Sequence, residues 1–238
     1  MPRFAVLLAV VIASVAVGAP VPPLSEKELL AKHWGKTEGQ GEFELTGKRL
    51  TIRTAVPPDQ GLISVINGGR LTMPRVTRTV VGDFEATVTV ADAALPGKDA
   101  KHADAYPNTR AGLFIEGGGY AVELHLYQYH SKFNGVVADK PTRCVWVDTW
   151  FPGGGSGSML KAAEAGKSTY LRIARKDKTV TVSHSFDGKE WSAPYNPRQS
   201  LDFPTDVTVG VFLSHSTYQT LDATFDAFTV EKPKEKGK

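Results

Sequence analysis

The sequence predicts an all-β protein, an antiparallel β-sandwich. In Tyr170–Arg175 and Thr179–Ser185, apolar residues alternate with polar ones, and a short polar turn separates the two stretches. This pattern is typical of a hairpin with one buried face. Stretches of the same kind recur along the chain, with turn residues between them. Helical periodicity is absent between them, which disfavours a parallel sheet with crossover helices.

The first 39 residues are predicted to lie outside the sandwich. Residues 1–19 combine a short positive start, an apolar run and small residues near its end, which is typical of a signal peptide. An uncleaved N-terminal anchor is the alternative. Residues 20–39 are predicted as a proline-rich linker and a short helix. The helix covers Ser25–His33, because Ser25 and Glu28 have the spacing of a capping box and Gly35 follows the last turn.

The sandwich is predicted to cover residues 40–231, and residues 232–238 form a disordered basic tail. The candidate strands are Glu42–Ala55, Arg70–Met73, Val76–Ala91, Arg110–Ile115, Tyr120–Tyr129, Cys144–Phe151, Tyr170–Arg175, Thr179–Ser185, Val207–Ser214 and Leu221–Val230. Three long loops separate some of them, at residues 96–108, 130–143 and 153–166. The last loop is rich in glycine but lacks the full context of a phosphate-binding loop, in which a strand precedes the glycines and a helix with a Lys-Ser/Thr pair follows them. It is therefore interpreted as a flexible surface connection.

Composition excludes several classes of protein. The 238 residues are 41% hydrophobic and 22% charged, and the net charge is +3. This charge is too small to indicate a nucleic-acid partner. The single cysteine, Cys144, has no partner for an internal disulfide. Beyond the signal peptide no segment is long and apolar enough to cross a membrane, so the expected location is secreted, or periplasmic in the cell envelope.

The second half of the chain contains a series of motifs that resembles a known domain family. A Leu171-Arg172 strand is followed by Ser185-x-Asp187-Gly188-x-x-Trp191, by a Val209-Gly210 strand and by Ala223-Thr224-Phe225-Asp226. This series resembles the DUF1349-type domains of the concanavalin A-like lectin/glucanase superfamily, which also occur as the C-terminal module of β-xylosidases. The resemblance covers about residues 40–231. It implies a concanavalin A-like jelly roll and, by association, a role with carbohydrate.

Catalysis is not predicted. Jelly-roll glycoside hydrolases carry Glu-x-Asp-x-x-Glu on one strand, which points the carboxylates to the same face. The nearest stretch here is Glu123-Leu124-His125, which supplies one carboxylate, and Asp83 and Glu85 alternate without a third member.

No cofactor is predicted either. The histidines and the cysteine lack the spacing of a zinc site, so we predict no metal ligands. Calcium occurs in some concanavalin A-like domains. Asp222 or Asp226 could contribute a ligand, but no cluster of oxygen ligands supports such a site.

Alternation on two strands predicts a binding face instead. Along Tyr120–Tyr129 one side is apolar, and along Cys144–Phe151 the same division recurs. The opposite sides together present polar and aromatic groups: Glu123, His125, Tyr127, Trp146, Asp148 and Trp150. Aromatic rings stack on the C–H faces of sugars, and carboxylate or imidazole groups bind hydroxyls. Arg172, which alternates with core residues, is a further candidate contact.

Two alternatives remain open from sequence alone. The face is either exposed to a glycan or covered by other parts of the chain, as ordinary core. The favoured function is a non-catalytic module that binds a poly- or oligosaccharide. The alternatives are a structural or protein-interaction module of the cell envelope and, less favoured, a glycoside hydrolase.

Overall fold

The computed structural model describes residues 24–54, 73–98, 106–217 and 219–233, and it confirms the antiparallel β-sandwich. The elements in chain order are α1 (Glu26–His33), β1 (Lys36–Glu38), β2 (Gly41–Thr46), β3 (Arg49–Thr54), β4 (Arg75–Val81), β5 (Phe84–Ala93), β6 (Asn108–Gly117), β7 (Tyr120–Tyr129), β8 (Lys132–Phe133), β9 (Val136–Val137), β10 (Thr142–Phe151), β11 (Gly154–Ala162), β12 (Thr169–Lys176), β13 (Thr179–Ser185), β14 (Asp206–His215) and β15 (Asp222–Glu231).

The strands form two packed sheets. The seven-stranded sheet has the order β1-β4-β14-β6-β7-β10-β11, and the six-stranded sheet has the order β13-β12-β5-β15-β3-β2. A small separate hairpin joins β8 to β9. All the pairings between these strands are antiparallel, and the turn between β12 and β13 lies where the sequence predicts it.

The core lies between the two sheets. Leu113, Leu124 and Val147 point into it from the seven-stranded sheet, and Ile52 and Ile173 point into it from the six-stranded sheet. Burying a side chain of this size stabilises the fold by about 1.5–3 kcal/mol relative to leaving it exposed. Because successive side chains of a strand point to opposite faces, the residues between these core positions form the outer faces of the sandwich.

The helix is confirmed. Ser25 is its N-cap, and the side chains and backbones of Ser25 and Glu28 bond reciprocally as a capping box. Leu30 is the buried residue of α1. The sheet begins earlier than predicted, since β1 lies within the segment assigned to linker and helix and pairs with β4.

Two stretches that were each predicted as one strand form two strands in the structure. Glu42–Ala55 divides into β2 and β3 at Gly47, and Val76–Ala91 divides into β4 and β5 at Gly82. Both glycines have positive φ, +64° and +74°, a conformation that costs other residues energy, so each can hold a tight reversal. The turn at Gly82 carries the chain from one sheet to the other.

Other predictions fall partly or wholly on residues that the structure does not describe. These are the signal peptide, most of the strand predicted at Arg70–Met73, part of the loop at 96–108 and most of the tail. Within the described ranges, no helix is long and apolar enough to cross a membrane.

Candidate functional site

Strands β6, β7, β10 and β11 lie side by side and form the outer surface on which the predicted residues meet. Asp148 is directly opposite Glu123, and Trp146 is directly opposite His125. The intervening residues Leu124 and Val147 belong to the core. Six predicted residues therefore share one outward face, which we call the polar–aromatic face: Glu123, His125, Tyr127, Trp146, Asp148 and Trp150.

Burial divides this face into a floor and a rim. Three polar residues form the floor, since His125 is 0% exposed, Glu123 5% and Asp148 8%. The three aromatic residues, Tyr127, Trp146 and Trp150, are half-buried and form the rim. Neither alternative drawn from the sequence holds for the whole face: its polar groups are covered, while its aromatic rings reach solvent.

Asp148 connects the floor to the rim. Its Oδ2 atom accepts a hydrogen bond from Arg110 Nη1 at 3.0 Å, and its Oδ1 atom accepts one from Trp146 Nε1 at 2.9 Å. Burial raises the pKa of Asp148, while the Arg110 charge and the Trp146 hydrogen bond oppose that rise. Both bonds restrict the orientation of the Trp146 indole and the Asp148 carboxylate before any ligand arrives.

Burial raises the pKa of Glu123 to about 7. The Arg110 charge lowers this pKa, and the neighbouring Asp148 carboxylate raises it. The Trp150 indole also favours the charged form of Glu123, although its Nε1 atom lies outside good hydrogen-bond geometry. Near neutral pH, Glu123 can therefore either donate or accept a hydrogen bond.

His125 is a buried imidazole with unused hydrogen-bonding capacity. Neither ring nitrogen has a hydrogen-bond partner among the residues that the structure describes, and its Nε2 atom lies 3.8 Å from Asp148 Oδ2. The ring meets Phe212 and Tyr127 edge-on, with centroids 5.9 and 5.8 Å away. Burial, together with the Arg110 charge, holds its pKa well below the ordinary value, so the imidazole is neutral.

The glycine-rich segment was wrongly predicted as a flexible loop. Residues 154–162 form β11, the edge strand of the seven-stranded sheet, which pairs with β10 apart from one register shift between Val145 and Trp146. Gly155 lies opposite Trp150, and Gly157 lies opposite Asp148. A Cβ atom at Gly155 would lie 2.5 Å from the Trp150 ring, and one at Gly157 would lie 2.5 Å from Asp148 Oδ1. The glycines therefore leave the space that the indole of Trp150 and the Trp146–Asp148 pair occupy.

Sequence reasoning missed three contributors to the face: Arg110, Gly155 and Gly157. A signal for the glycines is present, because their spacing of two matches the spacing of Trp146, Asp148 and Trp150 on the preceding strand. Arg110 gave no such signal, since its role depends on β6 lying beside β7, with Tyr127 opposite it.

Arg172 does not belong to this site. It lies on β12 in the six-stranded sheet, between the core residues Leu171 and Ile173, and points away from the core on the other side of the sandwich. Its guanidinium lies 3.7 Å from the centroid of the Trp191 ring and forms an ion pair with Glu85 at 3.3 Å. Alternation correctly predicted that Arg172 points away from the core. Alternation does not show, however, which of the two outer faces a residue occupies.

The two aspartates considered for calcium have arginine partners. Asp226 accepts two hydrogen bonds from Arg49, both 3.0 Å, and Asp222 lies 3.8 Å from Arg53. A cation at either aspartate would compete with the arginine partner of that residue.

The two sheets give this chain the fold of a concanavalin A-like jelly roll, which distant solved structures share. No protein-family model matches the sequence, and no curated protein matches it.

The solved structures that resemble this one have distant sequences. A functionally unknown protein from Saccharomyces cerevisiae has a TM-score of 0.59 and 13% identity, covering 83% of this chain and 96% of its own. A mutant of the GH43 protein BlXynB from Bacillus licheniformis has a TM-score of 0.52 and 13% identity, covering 91% of this chain and 41% of its own. A legume lectin-like domain from Entamoeba histolytica has a TM-score of 0.48 and 7% identity, covering 94% of this chain and all of its own. This chain thus matches about two fifths of the Bacillus protein, and at these identities the likeness is one of fold.

Proposed function

We propose that this chain is an exported, non-catalytic module of the DUF1349 type that binds a poly- or oligosaccharide on the polar–aromatic face. The observation that supports this proposal most is the combination of half-buried aromatic rings with buried polar groups whose hydrogen-bonding capacity is unused. Export and a place in the cell envelope belong to the same proposal, and they depend on the sequence of residues 1–19.

The rim is a packed aromatic cluster whose half-buried tryptophans, Trp146 and Trp150, offer surfaces on which a sugar ring can stack. Tyr127 lies between two aromatic neighbours, with its centroid 4.9 Å from that of Tyr129 and 5.6 Å from that of Trp146. Arg110 lies 5.1 Å from the centroid of the same tyrosine. Rings that are packed in this way lose little further conformational freedom when a ligand binds, and such preorganisation favours affinity.

The floor offers hydrogen bonds to hydroxyl groups. A neutral imidazole has one donor and one acceptor nitrogen, and a sugar hydroxyl can match either. The Nε1 atom of Trp150 and the Nε atom of Arg110 are further buried donors without a partner among the described residues. Buried polar groups normally have partners, so unpaired groups beneath a partly open rim favour a polar ligand.

Tryptophan fluorescence tests this proposal. The chain has four tryptophans; Trp34 is 2% exposed, and Trp191 lies at the six-stranded sheet beneath Arg172. We expect soluble xylan, mannan or β-glucan to shift the emission of the wild-type protein. A Trp191→Phe variant should keep the shift, and a Trp146→Phe/Trp150→Phe variant should lose it. Equal shifts in both variants, or no shift with any polysaccharide on a broad panel, would refute the proposal.

Glycoside hydrolysis is a second candidate, favoured by one observation. Asp148, on the paired strand, lies directly opposite Glu123. It supplies the second carboxylate that the strand of Glu123 lacks. A protonated and an ionised carboxyl group on either side of a glycosidic bond are the usual pair in such enzymes. Hydrolysis predicts the release of reducing ends from these polysaccharides, abolished in Glu123→Gln and unchanged in Glu164→Gln. Intact polysaccharide after prolonged incubation with the wild-type protein would exclude hydrolysis of the substrates tested.

A further inference from the structure

The floor of the polar–aromatic face brings three metal-ligating groups together. One ligand atom from each of Glu123, His125 and Asp148 lies within 4.8 Å of the other two. All three side chains are buried, and within the described ranges no other group of this kind is found.

The unpartnered imidazole distinguishes this cluster from an ordinary pair of acids. His125 is completely buried, and in the described part of the chain neither ring nitrogen finds a hydrogen-bond partner. The Nε2 atom is directed towards Asp148, at 3.8 Å from Oδ2. This distance is too long for a hydrogen bond but suits two atoms that share a central ion.

We propose that Glu123, His125 and Asp148 form a site for a divalent transition-metal ion, of the class of Zn²⁺ or Mn²⁺. One imidazole nitrogen with carboxylate oxygens is a ligand set that these ions accept, whereas Ca²⁺ takes oxygen ligands. Metal–ligand bonds of about 2.0–2.2 Å place three ligand atoms around one ion about 3.3–3.8 Å apart. The three ligand atoms therefore need to move inward by at most about 0.7 Å each.

Rigid elements hold the three groups. Glu123 and His125 are two residues apart on β7, and Asp148 lies on the paired strand β10. A Cβ atom at Gly112, opposite His125, would lie 2.6 Å from the His125 Cβ atom, so the absence of a side chain there lets the histidine occupy the floor.

Arg110 opposes the binding of a cation. Its Nη1 atom donates to Asp148 Oδ2 at 3.0 Å, so a bound ion would share that carboxylate with a guanidinium. A carboxylate oxygen has lone pairs for both, but the positive charge weakens affinity. Removing the charge should therefore tighten the binding of metal, an effect that a purely structural cluster would not show.

The test uses the untagged full chain, stripped with chelator and then titrated with Zn²⁺, Mn²⁺ or Ca²⁺ in a calorimeter. We expect one equivalent of Zn²⁺ or Mn²⁺ to bind, and Co²⁺ to give the visible absorption bands of a bound ion. Affinity should fall at least tenfold in His125→Phe and in Glu123→Gln, and it should rise in Arg110→Met. His184→Phe, a buried histidine on β13, is the matched control and should leave binding unchanged.

The result is read without sugar, so it does not depend on the proposed function. Absence of saturable binding and of Co²⁺ bands in the wild-type protein would overturn the metal site, even if a variant failed to fold. Binding that survives His125→Phe, or that occurs with Ca²⁺ alone, would also overturn it.

Discussion

Glu123→Gln is expected to change the pH dependence of stability by about 3 kcal/mol between pH 4.5 and pH 8, since one pKa unit corresponds to about 1.4 kcal/mol. In the folded protein the pKa of this carboxyl is about 7, against an ordinary value of 4.5. The folded state therefore binds the Glu123 proton more tightly than the unfolded state does. The resulting contribution to the free energy of unfolding is fully present below pH 4.5 and is lost as the pH rises through 7. Glutamine preserves the shape and removes the proton, so the variant should gain stability relative to wild type as the pH rises.

Urea unfolding at several pH values, in the presence of chelator, measures this difference. Glu164→Gln serves as the control, since Glu164 is exposed and Lys167 lowers its pKa. Any pH dependence of that control should have the opposite sign. A constant difference between Glu123→Gln and wild type at every pH would mean that Glu123 titrates like an exposed carboxyl group, contrary to its burial in the floor.

Arg75→Met is expected to destabilise the protein by about 3–5 kcal/mol, the usual cost of breaking a buried ion pair. Arg75 lies on β4, on the same outer face of the seven-stranded sheet, and its side chain is 10% exposed. It bonds Glu38 at 2.8 Å and Glu116 at 2.8 Å and packs against Phe114. Removing it deprives Glu116 of its arginine partner and leaves Glu38 with only the exposed Lys36, and burial already raises the pKa of Glu116.

Arg49→Met provides a matched comparison. Arg49 makes two 3.0 Å bonds to Asp226, but its side chain is 57% exposed, so water and salt screen the pair. A much smaller loss of stability is expected there. Equal losses of stability in the two variants would contradict the claim that burial makes the Arg75 ion pairs stronger than the Arg49 pair. Partial recovery of stability in Arg75→Met/Glu116→Gln would support that claim.

The sequence was sufficient to predict the fold and the composition of the face, because both follow from period-two alternation. Val122, Leu124 and Leu126 entered the core, and Glu123 and His125 turned outward, as alternation requires. The capping box of α1 was also correct, since it depends only on residues that are close in the chain.

What the sequence could not predict depends on contacts between distant segments. Alternation does not distinguish the outer faces of two sheets, so it could not show that Arg172 lies on the sheet opposite the other six candidates. The glycine-rich segment that was predicted as a loop forms strand β11, because β10 supplies the partner backbone and the indole of Trp150 covers Gly155. The pairing of Asp148 with Glu123, and the burial that raises the Glu123 pKa, required the register of β7 with β10.

The most direct test of carbohydrate binding compares variants on the two outer faces. Wild type, Trp146→Ala/Trp150→Ala and Trp191→Ala would be assayed on a glycan array and by pull-down with insoluble polysaccharide, after their folding is verified by circular dichroism. We expect the double variant to lose at least tenfold in affinity and Trp191→Ala to bind like wild type. Undiminished binding by a folded double variant would contradict the assignment of the ligand to the polar–aromatic face.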